Sequence, residues 1–156
     1  MQQKAIEVQA PNEVTIDQEY LNIFLAGSIE MGKAIEWQKE FIAKLSDKPI
    51  RFLNPRRDDW DSSWGQTIDD PRFVEQVQWE LNSMEMSHMI VMVIDPATLS
   101  PVTMIELGLH AKEQKLMVVC PDGFWKKGNV DVTCEFYGVN QFDTMNELIE
   151  FIRKHI

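Results

Sequence analysis

The sequence contains few of the features that mark secreted, membrane or zinc-binding proteins. It has only two cysteines, Cys120 and Cys134, with no Cys-x-x-Cys motif and no histidine at zinc-like spacing. We therefore expect a reduced thiol pair and no metal site. The longest apolar runs, near 89–94 and 116–119, are too short to span a bilayer, and the first residues contain no apolar stretch of signal-peptide length. The sequence thus predicts a cytoplasmic protein with no membrane partner.

Positive charge is also scarce. The chain has 15 Lys and Arg against 25 Asp and Glu, a formal net charge of −10, and no long basic run. Lys and Arg supply most of the affinity of proteins for DNA and RNA, so this balance argues against a nucleic-acid partner and leaves a small molecule. No cofactor-binding motif is recognised, and no cofactor is expected. At 156 residues the chain suits one domain with a single core.

The region 89–111 dominates the pattern. An uninterrupted apolar run at 89–94 predicts a central strand of a parallel sheet, covered on both faces. Ser100-Pro101 then predicts a helix start, with the serine hydroxyl as cap. The helix that follows is apolar nearly all round except for one acid, Glu106. A lone carboxyl group there loses solvation unless it is paired or used in chemistry, which makes Glu106 the first candidate site residue.

Other strands alternate with helices along the chain. Residues 1–21 are predicted to be a leader that could add an edge strand, and residues 22–156 the domain proper. The alternation predicts a doubly wound α/β fold with a mostly parallel sheet. The capping box Thr144-x-x-Glu147 predicts the start of the last helix. Strands are predicted at 22–26, 49–53 and 115–119. A helix that contains Trp37, Phe41 and Leu45 is predicted directly after the Gly27-Ser28 turn, and further helices are predicted over 71–86 (apolar positions Phe73, Val77, Leu81 and Met84) and 145–152.

Three unusual segments follow strands of this sheet: Gly27-Ser28, the loop 54–64, and 100–106. Ligands of open α/β sheets bind beyond the carboxyl ends of the strands, so we expect these segments to form one site. Gly27 either permits a sharp turn into the next helix or lets a ligand approach the backbone. The loop, rich in Trp, Arg and Asp, is either functional or a charged surface connection.

The segments Ile-Phe-Leu-Ala-Gly-Ser-Ile at 23–29, Asn-Pro-Arg-Arg-Asp-Asp-Trp at 54–60 and Ser-Pro-x-x-x-x-Glu-Leu-Gly at 100–108 together resemble the nucleoside 2-deoxyribosyltransferase superfamily. The resemblance covers roughly residues 22–120 and implies a flavodoxin-like (Rossmann-like) fold. The superfamily also includes 2′-deoxynucleoside 5′-monophosphate N-glycosidases, which cleave the same bond with water as acceptor.

The resemblance implies two catalytic carboxyl groups. Glu106 matches the nucleophile, which attacks C1′ of deoxyribose and holds the sugar as an ester. Glu80, eight residues before His88, matches the acid that exchanges a proton with the base. Retaining glycosidases place such groups about 5 Å apart, and we expect similar closeness here. Burial should raise the Glu106 pKa, while the nearby helix N-terminus should oppose this and keep the group ionised near neutral pH.

The remaining site residues follow from the same motifs. The turn at Gly27 and Ser28 is expected to line the sugar or phosphate, and the loop after 54 to border the base, with a tryptophan as a stacking surface. The expected substrate-binding residues are Gly27, Ser28, Asn54, Arg56, Asp58, Asp59, Trp60, Trp64 and Ser100.

Three residues depart from the family pattern. Phe24 replaces a tyrosine that contacts the nucleophile, and Glu80 is one methylene longer than the usual Asp. Ser100 replaces an Asp that contacts the sugar 5′-hydroxyl in the transferases, and a serine at a helix start suits phosphate better.

Three interpretations remain at this point. The first is an enzyme that transfers deoxyribose between bases, or alternatively hydrolyses nucleoside monophosphates. The second is a nucleotide-binding module without turnover. The third is a protein-contact domain in which Glu106 is paired with Arg56 or Arg57. The resemblance also implies a homo-oligomer, dimer or higher, in which a neighbouring subunit completes each site. The apolar and aromatic residues between Phe124 and Phe142 are a candidate interface for it.

Overall fold

The computed structural model of the chain describes residues 3–29, 34–61 and 63–156, which form six strands and five helices. The strands are β1 (Ile6–Gln9), β2 (Leu21–Gly27), β3 (Ile50–Asn54), β4 (Met89–Val93), β5 (Leu116–Val119) and β6 (Asn140–Phe142). The helices are α1 (Trp37–Lys44), α2 (Pro71–Met86), α3 (Pro101–His110), α4 (Lys127–Tyr137) and α5 (Met145–His155).

All six strands pair in parallel in one sheet with the order β1-β3-β2-β4-β5-β6. β4 lies inside the sheet, and its residues from Ile90 to Val93 are buried, which confirms the central strand predicted from the apolar run. The chain leaves β2 toward β3 on one side and returns to β4 on the other. This reversal confirms the doubly wound α/β fold, and ligands of such sheets bind where the order reverses.

Alternate residues of the strands face two separate cores. Ile23 and Leu25 of β2 point toward α1 and α5, whereas Phe24 and Ala26 point toward α2, α3 and α4. Apolar residues on both faces explain why the strands are continuous apolar runs rather than alternating ones. Within the described residues, no helix is both long and apolar enough to cross a membrane.

β1 belongs to the segment that the sequence marks as a leader. It forms the edge of the sheet, parallel to β3, with Ile6 opposite Arg51 and Gln9 opposite Asn54. Beyond β1, the Ala10 N–H donates to the Asn54 carbonyl at 3.0 Å. The first residues of the chain therefore contact the end of β3, where the site begins.

Helix α1 does not start at the Gly27-Ser28 turn, so that prediction is wrong. It begins at Trp37, and the intervening residues 30–33 lie outside the described ranges. The physical reason is visible just before α1. The Arg56 guanidinium binds the carbonyl groups of Ala34 and Ile35 at 2.9 and 3.2 Å, and these bonds hold the segment in a non-helical path.

Helix α2 has the predicted bounds, but burial follows a different face from the predicted apolar stripe. Its buried residues are Gln76, Ser83 and Met84, while Leu81 is 42% exposed. Polar side chains of α2 therefore face the protein interior. Because buried polar side chains need hydrogen-bond partners, the interior next to α2 is expected to contain polar groups.

Helix α4 and β6 lie in a part of the chain for which the sequence predicted no helix or strand. α4 buries just two positions, Val130 and Cys134, one turn apart, and ends at Gly138 with a positive φ of 69°. β6 is only three residues long, with two of them exposed. Both patterns are too short to be recognised by periodicity.

Candidate active site

Gly27 ends β2 where the site begins. Its φ is +126°, and a Cβ atom at this position would lie 2.2 Å from the Val93 carbonyl oxygen of β4. The neighbouring Ser28 N–H donates to the same oxygen at 3.1 Å. Close approach of the two strand ends therefore accounts for glycine here. This favours a conformational role for Gly27 at the turn over the approach of a ligand to its backbone.

Three hydroxyl groups meet between the ends of β2 and β4. Ser28 Oγ lies 2.6 Å from Ser100 Oγ and 3.1 Å from Thr98 Oγ1, and these last two are 2.6 Å apart. Ser28 Oγ also accepts from the Asp95 N–H at 2.8 Å. The predicted convergence of 27–28 with 100–106 is thus seen at Ser28 and Ser100. We call Ser28, Thr98 and Ser100 the hydroxyl cluster.

Ser100 does not cap α3 with its side chain, so that prediction is wrong. Its backbone adopts the left-handed region, with φ 47° and ψ 53°, and no cap hydrogen bond forms. The hydroxyl is engaged instead by Ser28 and Thr98. Pro101 does occupy the first turn of α3, as its missing N–H allows.

Glu106 projects from the second turn of α3 and is only 7% exposed. Among the described residues its side chain has neither a hydrogen bond nor an ion pair. Burial first, and then the negative charge of Glu80, raise the pKa of the Glu106 carboxyl to about 8. The expectation that Glu106 stays ionised in the free protein is therefore wrong: the N-terminus of α3 lies more than a turn away, where its dipole is weak.

Glu80 lies on α2, and its carboxyl group is close enough to Glu106 for its charge to raise the pKa of that group. Burial raises the pKa of Glu80 itself to about 7, although a hydrogen bond from Gln76 acts in the opposite direction. The Gln76 Nε2 atom donates to Glu80 Oε1 at 3.0 Å. Glu80 thus has a fixed hydrogen-bond partner, whereas Glu106 has none within the described part of the chain.

Together the two carboxyl groups form a coupled pair that holds one proton near pH 7 to 8. Such a pair can supply a nucleophilic oxygen and a proton to the same reacting bond. Burial is the largest influence on both pKa values, and no cation of the described residues neutralises either carboxyl group. This is the pattern expected of groups held for chemistry rather than for stability.

The Arg56 side chain binds backbone carbonyl groups of a neighbouring segment. Besides the carbonyl groups of Ala34 and Ile35, it lies 3.8 Å from Glu36 and close to Gln38. Its guanidinium is therefore committed to the segment before α1, and its predicted role in substrate binding gains no support from these contacts. Glu106 pairs with neither Arg56 nor Arg57, which removes the ion-pair interpretation of Glu106.

Arg57 joins the loop after β3 to α2. It binds both carboxylate oxygens of Asp59, at 2.8 and 3.0 Å, and donates to Gln76 Oε1 at 3.3 Å. Asp59 is thereby already paired, and the Arg57 guanidinium holds the pKa of the Asp59 carboxyl below its usual range. Asp58, also predicted to bind substrate, is exposed.

The two tryptophans of the loop contact each other, with ring centroids 5.0 Å apart. The guanidinium groups of Arg57 and Arg72 lie over the Trp64 ring at 5.2 and 4.8 Å. These contacts leave Trp64 poorly placed to stack on a base. Trp60 differs, because its buried Nε1 atom has no hydrogen-bond partner among the residues that the structure describes and is a donor available to a ligand acceptor.

Asn54 also serves local structure, since its Oδ1 accepts from the Arg56 N–H at 3.0 Å and its Nδ2 donates to Glu7 at 3.1 Å. Phe24, which stands where the family has a tyrosine, is fully buried and packs against Trp79. A phenylalanine side chain cannot donate a hydrogen bond, and no other described residue donates one to the Glu106 carboxyl group.

Sequence reasoning missed two residues of this region, Thr98 and Gln76. Thr98 lies in the tight turn after Asp95-Pro96. The hydroxyl residues Ser28, Thr98 and Ser100 all follow predicted strands, and this pattern could have indicated that Thr98 belongs to the site. Gln76 lies one helical turn before Glu80, so the spacing alone places the two side chains on one face of α2. The prediction for α2 considered only its apolar positions and therefore missed Gln76.

A group of residues with metal-ligand chemistry lies at the other ends of α2 and α3. Ligand atoms of Glu85, His110 and Glu113 are all within 4.8 Å of one another. The His110 Nδ1 atom already contacts Glu113 at 2.8 Å, and the Lys115 ammonium group lies 3.5 Å from the same carboxylate. The lysine supplies the positive charge that these acids need, and we assign the group no part in the site.

Comparison with known proteins agrees with the geometry. A family model described as nucleoside 2-deoxyribosyltransferase like matches residues 20–124, which include Gly27, Glu80 and Glu106. A solved structure described as a conserved protein from Enterococcus faecalis V583 is similar with a TM-score of 0.62 and 14% sequence identity, over 88% of this chain and 99% of that chain. At this identity the likeness shows the fold alone. No curated protein matches the chain.

Proposed function

The chain belongs to the nucleoside 2-deoxyribosyltransferase-like family, and from this membership we propose that it cleaves the N-glycosidic bond of 2′-deoxynucleosides and transfers the sugar to another base. Glu106 is the nucleophile and Glu80 the general acid and base. The observation that supports the proposal is the carboxyl pair on α2 and α3, Glu106 buried and Glu80 partly buried, whose pKa values are both raised toward neutrality.

The chemistry requires two carboxyl groups in different protonation states. An N-glycosidic bond breaks with positive charge developing at C1′ and negative charge on the departing base. One carboxylate must therefore face C1′, and a second group must donate a proton to the base. A pair that carries one proton between its two members provides both functions at once.

In the first step a Glu106 oxygen bonds to C1′ while the C1′–N bond breaks, and the base leaves with the proton of Glu80. In the second step a nitrogen of another base bonds to C1′ and the ester bond to Glu106 breaks. Glu80 then takes back the proton that the incoming base loses. Both carboxyl groups return to their starting state, and the sugar keeps its configuration after two inversions.

Burial raises the pKa values of both carboxyl groups toward neutrality, so the pair can carry a proton near neutral pH. The reaction needs this proton on Glu80 and an ionised Glu106. Positive charge that develops at C1′ favours the ionised form of Glu106 and therefore the proton on Glu80.

The hydroxyl cluster favours a second candidate, hydrolysis of deoxynucleoside 5′-monophosphates to the base and sugar phosphate. Three hydroxyl groups converge at the start of α3, and hydroxyl donors beside a helix N-terminus suit a phosphate group. The buried acids nearby act against a second negative group, and each hydroxyl group already bonds to its neighbours. We therefore keep the uncharged nucleoside as the first candidate.

Chromatography of reaction mixtures tests the proposal. Purified protein is incubated with a panel of deoxynucleosides and deoxynucleoside monophosphates, each with and without a second free base. The native protein should release or exchange base, Glu106→Gln should lose turnover by several orders of magnitude, and Glu80→Gln should lose about 100-fold or more. Glu85→Gln, an exposed acid on the same helix as Glu80, is the matched control and should retain activity.

Each outcome selects one interpretation. Product that depends on the added base indicates transfer, whereas base release without it indicates hydrolysis, and preference for monophosphates selects the second candidate. Nucleoside binding without any turnover would contradict both and favour a binding module. Activity that survives in Glu106→Gln would contradict the assignment of the nucleophile.

We also propose that the protein is a homo-oligomer. Val102, Ile105 and Leu109 lie on one face of α3 and are 51–63% exposed, and Val132 and Phe136 of α4 are more exposed still. α3 is the helix that carries Glu106, so a second copy seated on its outer face lies next to the active site. A contiguous apolar face of this kind is unusual on a monomer.

A further inference from the structure

Gln76 occupies a central place beside the catalytic pair. It is 6% exposed and lies one turn before Glu80 on α2. Its Nε2 atom donates to two acceptors, the Pro55 carbonyl oxygen at 2.9 Å and Glu80 Oε1 at 3.0 Å. Its Oε1 atom accepts from Arg57 at 3.3 Å. All three contacts reach different parts of the site: the end of β3, the loop after it, and the acid.

These contacts fix the orientation of the amide. The Nε2 atom faces two acceptors and the Oε1 atom faces a guanidinium donor, so a flipped amide would place like groups against each other at all three contacts. Arg57 is itself fixed, because its other donors hold both carboxylate oxygens of Asp59. A series of hydrogen bonds thus runs from Asp59 through Arg57 to Gln76 and ends at one oxygen of Glu80.

We propose that Gln76 is a positioning residue that holds Glu80 Oε1 and thereby leaves Oε2 to exchange the proton with the nucleoside base. This inference rests on the proposed role of Glu80. One donor directed at one oxygen distinguishes the two oxygens of the carboxyl group, and the proton is carried on the oxygen that lacks the donor.

The same hydrogen bond has an effect on titration. A donor directed at a carboxylate stabilises the ionised form, and Gln76 lowers the pKa of Glu80 against the larger effect of burial. Without Gln76 the pKa of Glu80 would be higher, so Glu80 would be a weaker proton donor to the departing base. The residue therefore affects both the geometry and the proton affinity of the acid.

Gln76→Leu removes the donor at nearly constant volume, and Gln78→Leu is the matched control because Gln78 is exposed on the same helix. Carbon-13 NMR of the glutamate carboxyl groups, without substrate, follows the pKa of Glu80, whose signal is identified by its loss in Glu80→Gln. We expect the Glu80 pKa to rise by about one pH unit in Gln76→Leu and to stay unchanged in Gln78→Leu.

Activity supplies the second readout. Gln76→Leu should lower kcat about 10- to 100-fold with little change in KM, because Gln76 touches the acid rather than the substrate. The alkaline limb of the pH profile, where Glu80 loses its proton, should move to higher pH. If Gln76→Leu does not fold, Gln76→Met, an unbranched side chain without a donor, replaces it in both measurements.

The outcomes separate this inference from the proposed function. An unchanged Glu80 pKa in the Gln76 variants overturns the inference even where the native protein is active. A raised Glu80 pKa with an equal loss of activity in Gln78→Leu also overturns it. A raised Glu80 pKa in a protein without any turnover supports the Gln76 contact and overturns the proposed function instead.

Discussion

A buried acid (Glu106) and a partly buried acid (Glu80), with no neutralising cation among the described residues, are costly for the fold. Glu106 has no hydrogen-bond donor among the described residues, and burial dominates the pKa of both Glu106 and Glu80. A protein selected for stability alone would place an apolar or amide side chain at such a position. The cost of these acids is therefore measurable as a dependence of stability on pH.

Glu106→Gln should stabilise the protein, and more so at high pH. The folded-state pKa lies above the unfolded value, so the folded state binds more protons between about pH 4.5 and 8, and native stability falls as pH rises through that window. The penalty is on the order of 3 kcal/mol at pH 7 before relaxation. Glu106→Gln has no carboxyl group at this position and lacks the penalty. The difference in Tm between the variant and the native protein should therefore increase by at least about 5 °C between pH 5 and pH 8.

Thermal unfolding of the native protein, Glu106→Gln and Glu85→Gln at the two pH values provides the comparison. Glu85 is exposed, so its variant should show no comparable growth in Tm with pH. A Tm difference for Glu106→Gln that is the same at pH 5 and pH 8 would show that the carboxyl group is ionised in the folded protein, contrary to the raised pKa.

At the level of elements, the end of β2 is limited by the backbone of β4. Gly27→Ala should destabilise the protein by about 3 kcal/mol or more, because the new methyl group would overlap the Val93 carbonyl oxygen at a φ that alanine rarely adopts. Gly108→Ala is the opposite case. No atom lies within 4 Å of a Cβ at Gly108, inside α3, so that variant should gain about 0.5–1 kcal/mol.

Urea unfolding of the two alanine variants measures both effects on one scale. A loss in Gly27→Ala comparable to an ordinary surface substitution would mean that β2 and β4 separate easily at their carboxyl ends. The hydroxyl cluster would then lack the rigid frame that the two strand ends provide.

The outer face of α3 gives a second prediction at this level. Ile105→Glu combined with Leu109→Glu should convert an oligomer into monomers, because two charges would have to lose water in the interface. Sedimentation velocity at micromolar concentration measures the change. Ile16→Glu, at an apolar residue that is 60% exposed elsewhere on the surface, is the control and should leave the assembly unchanged. A native protein that sediments as a monomer would contradict the proposed assembly.

For the whole molecule, sequence patterns predicted the elements that bury long apolar runs. The strands around Ile23, Leu53 and Val91, the bounds of α2, and the Thr144 cap of α5 agree with the structure, since the Thr144 hydroxyl accepts from the Glu147 N–H at 3.1 Å. Short elements such as β6 escape periodicity, because three residues do not define a period.

The site was predictable in part, for a related reason. A lone acid in an apolar helix drew attention to Glu106 without any knowledge of its neighbours. The roles of Arg56 and Asn54 depended on contacts with distant backbone groups, which sequence does not show. The raised pKa values of Glu80 and Glu106 likewise follow from burial, which only the packed structure shows.

The N-terminal segment is, we propose, part of the functional unit rather than a detachable leader. The ladder between β1 and β3 ends at Asn54, where the site loop starts, and Glu7 accepts from the Asn54 amide at 3.1 Å. The Trp79 Nε1 atom, on the helix that carries Glu80, donates to the Asn12 carbonyl at 2.8 Å. The segment thus supports both the loop and α2.

Deletion of residues 1–12 should therefore lower the urea midpoint of unfolding and also weaken nucleoside binding, because the deletion removes the β1 ladder and the anchor of Trp79 together. We expect KM to rise by about 10-fold, with a smaller fall in kcat, since Glu106 on α3 is not touched by the segment. Glu7→Ala should raise KM with little loss of stability, and Lys4→Ala, at an exposed residue before β1, should change neither. A truncated protein with native stability and native KM would show that the sheet from β3 to β6 carries the activity without β1.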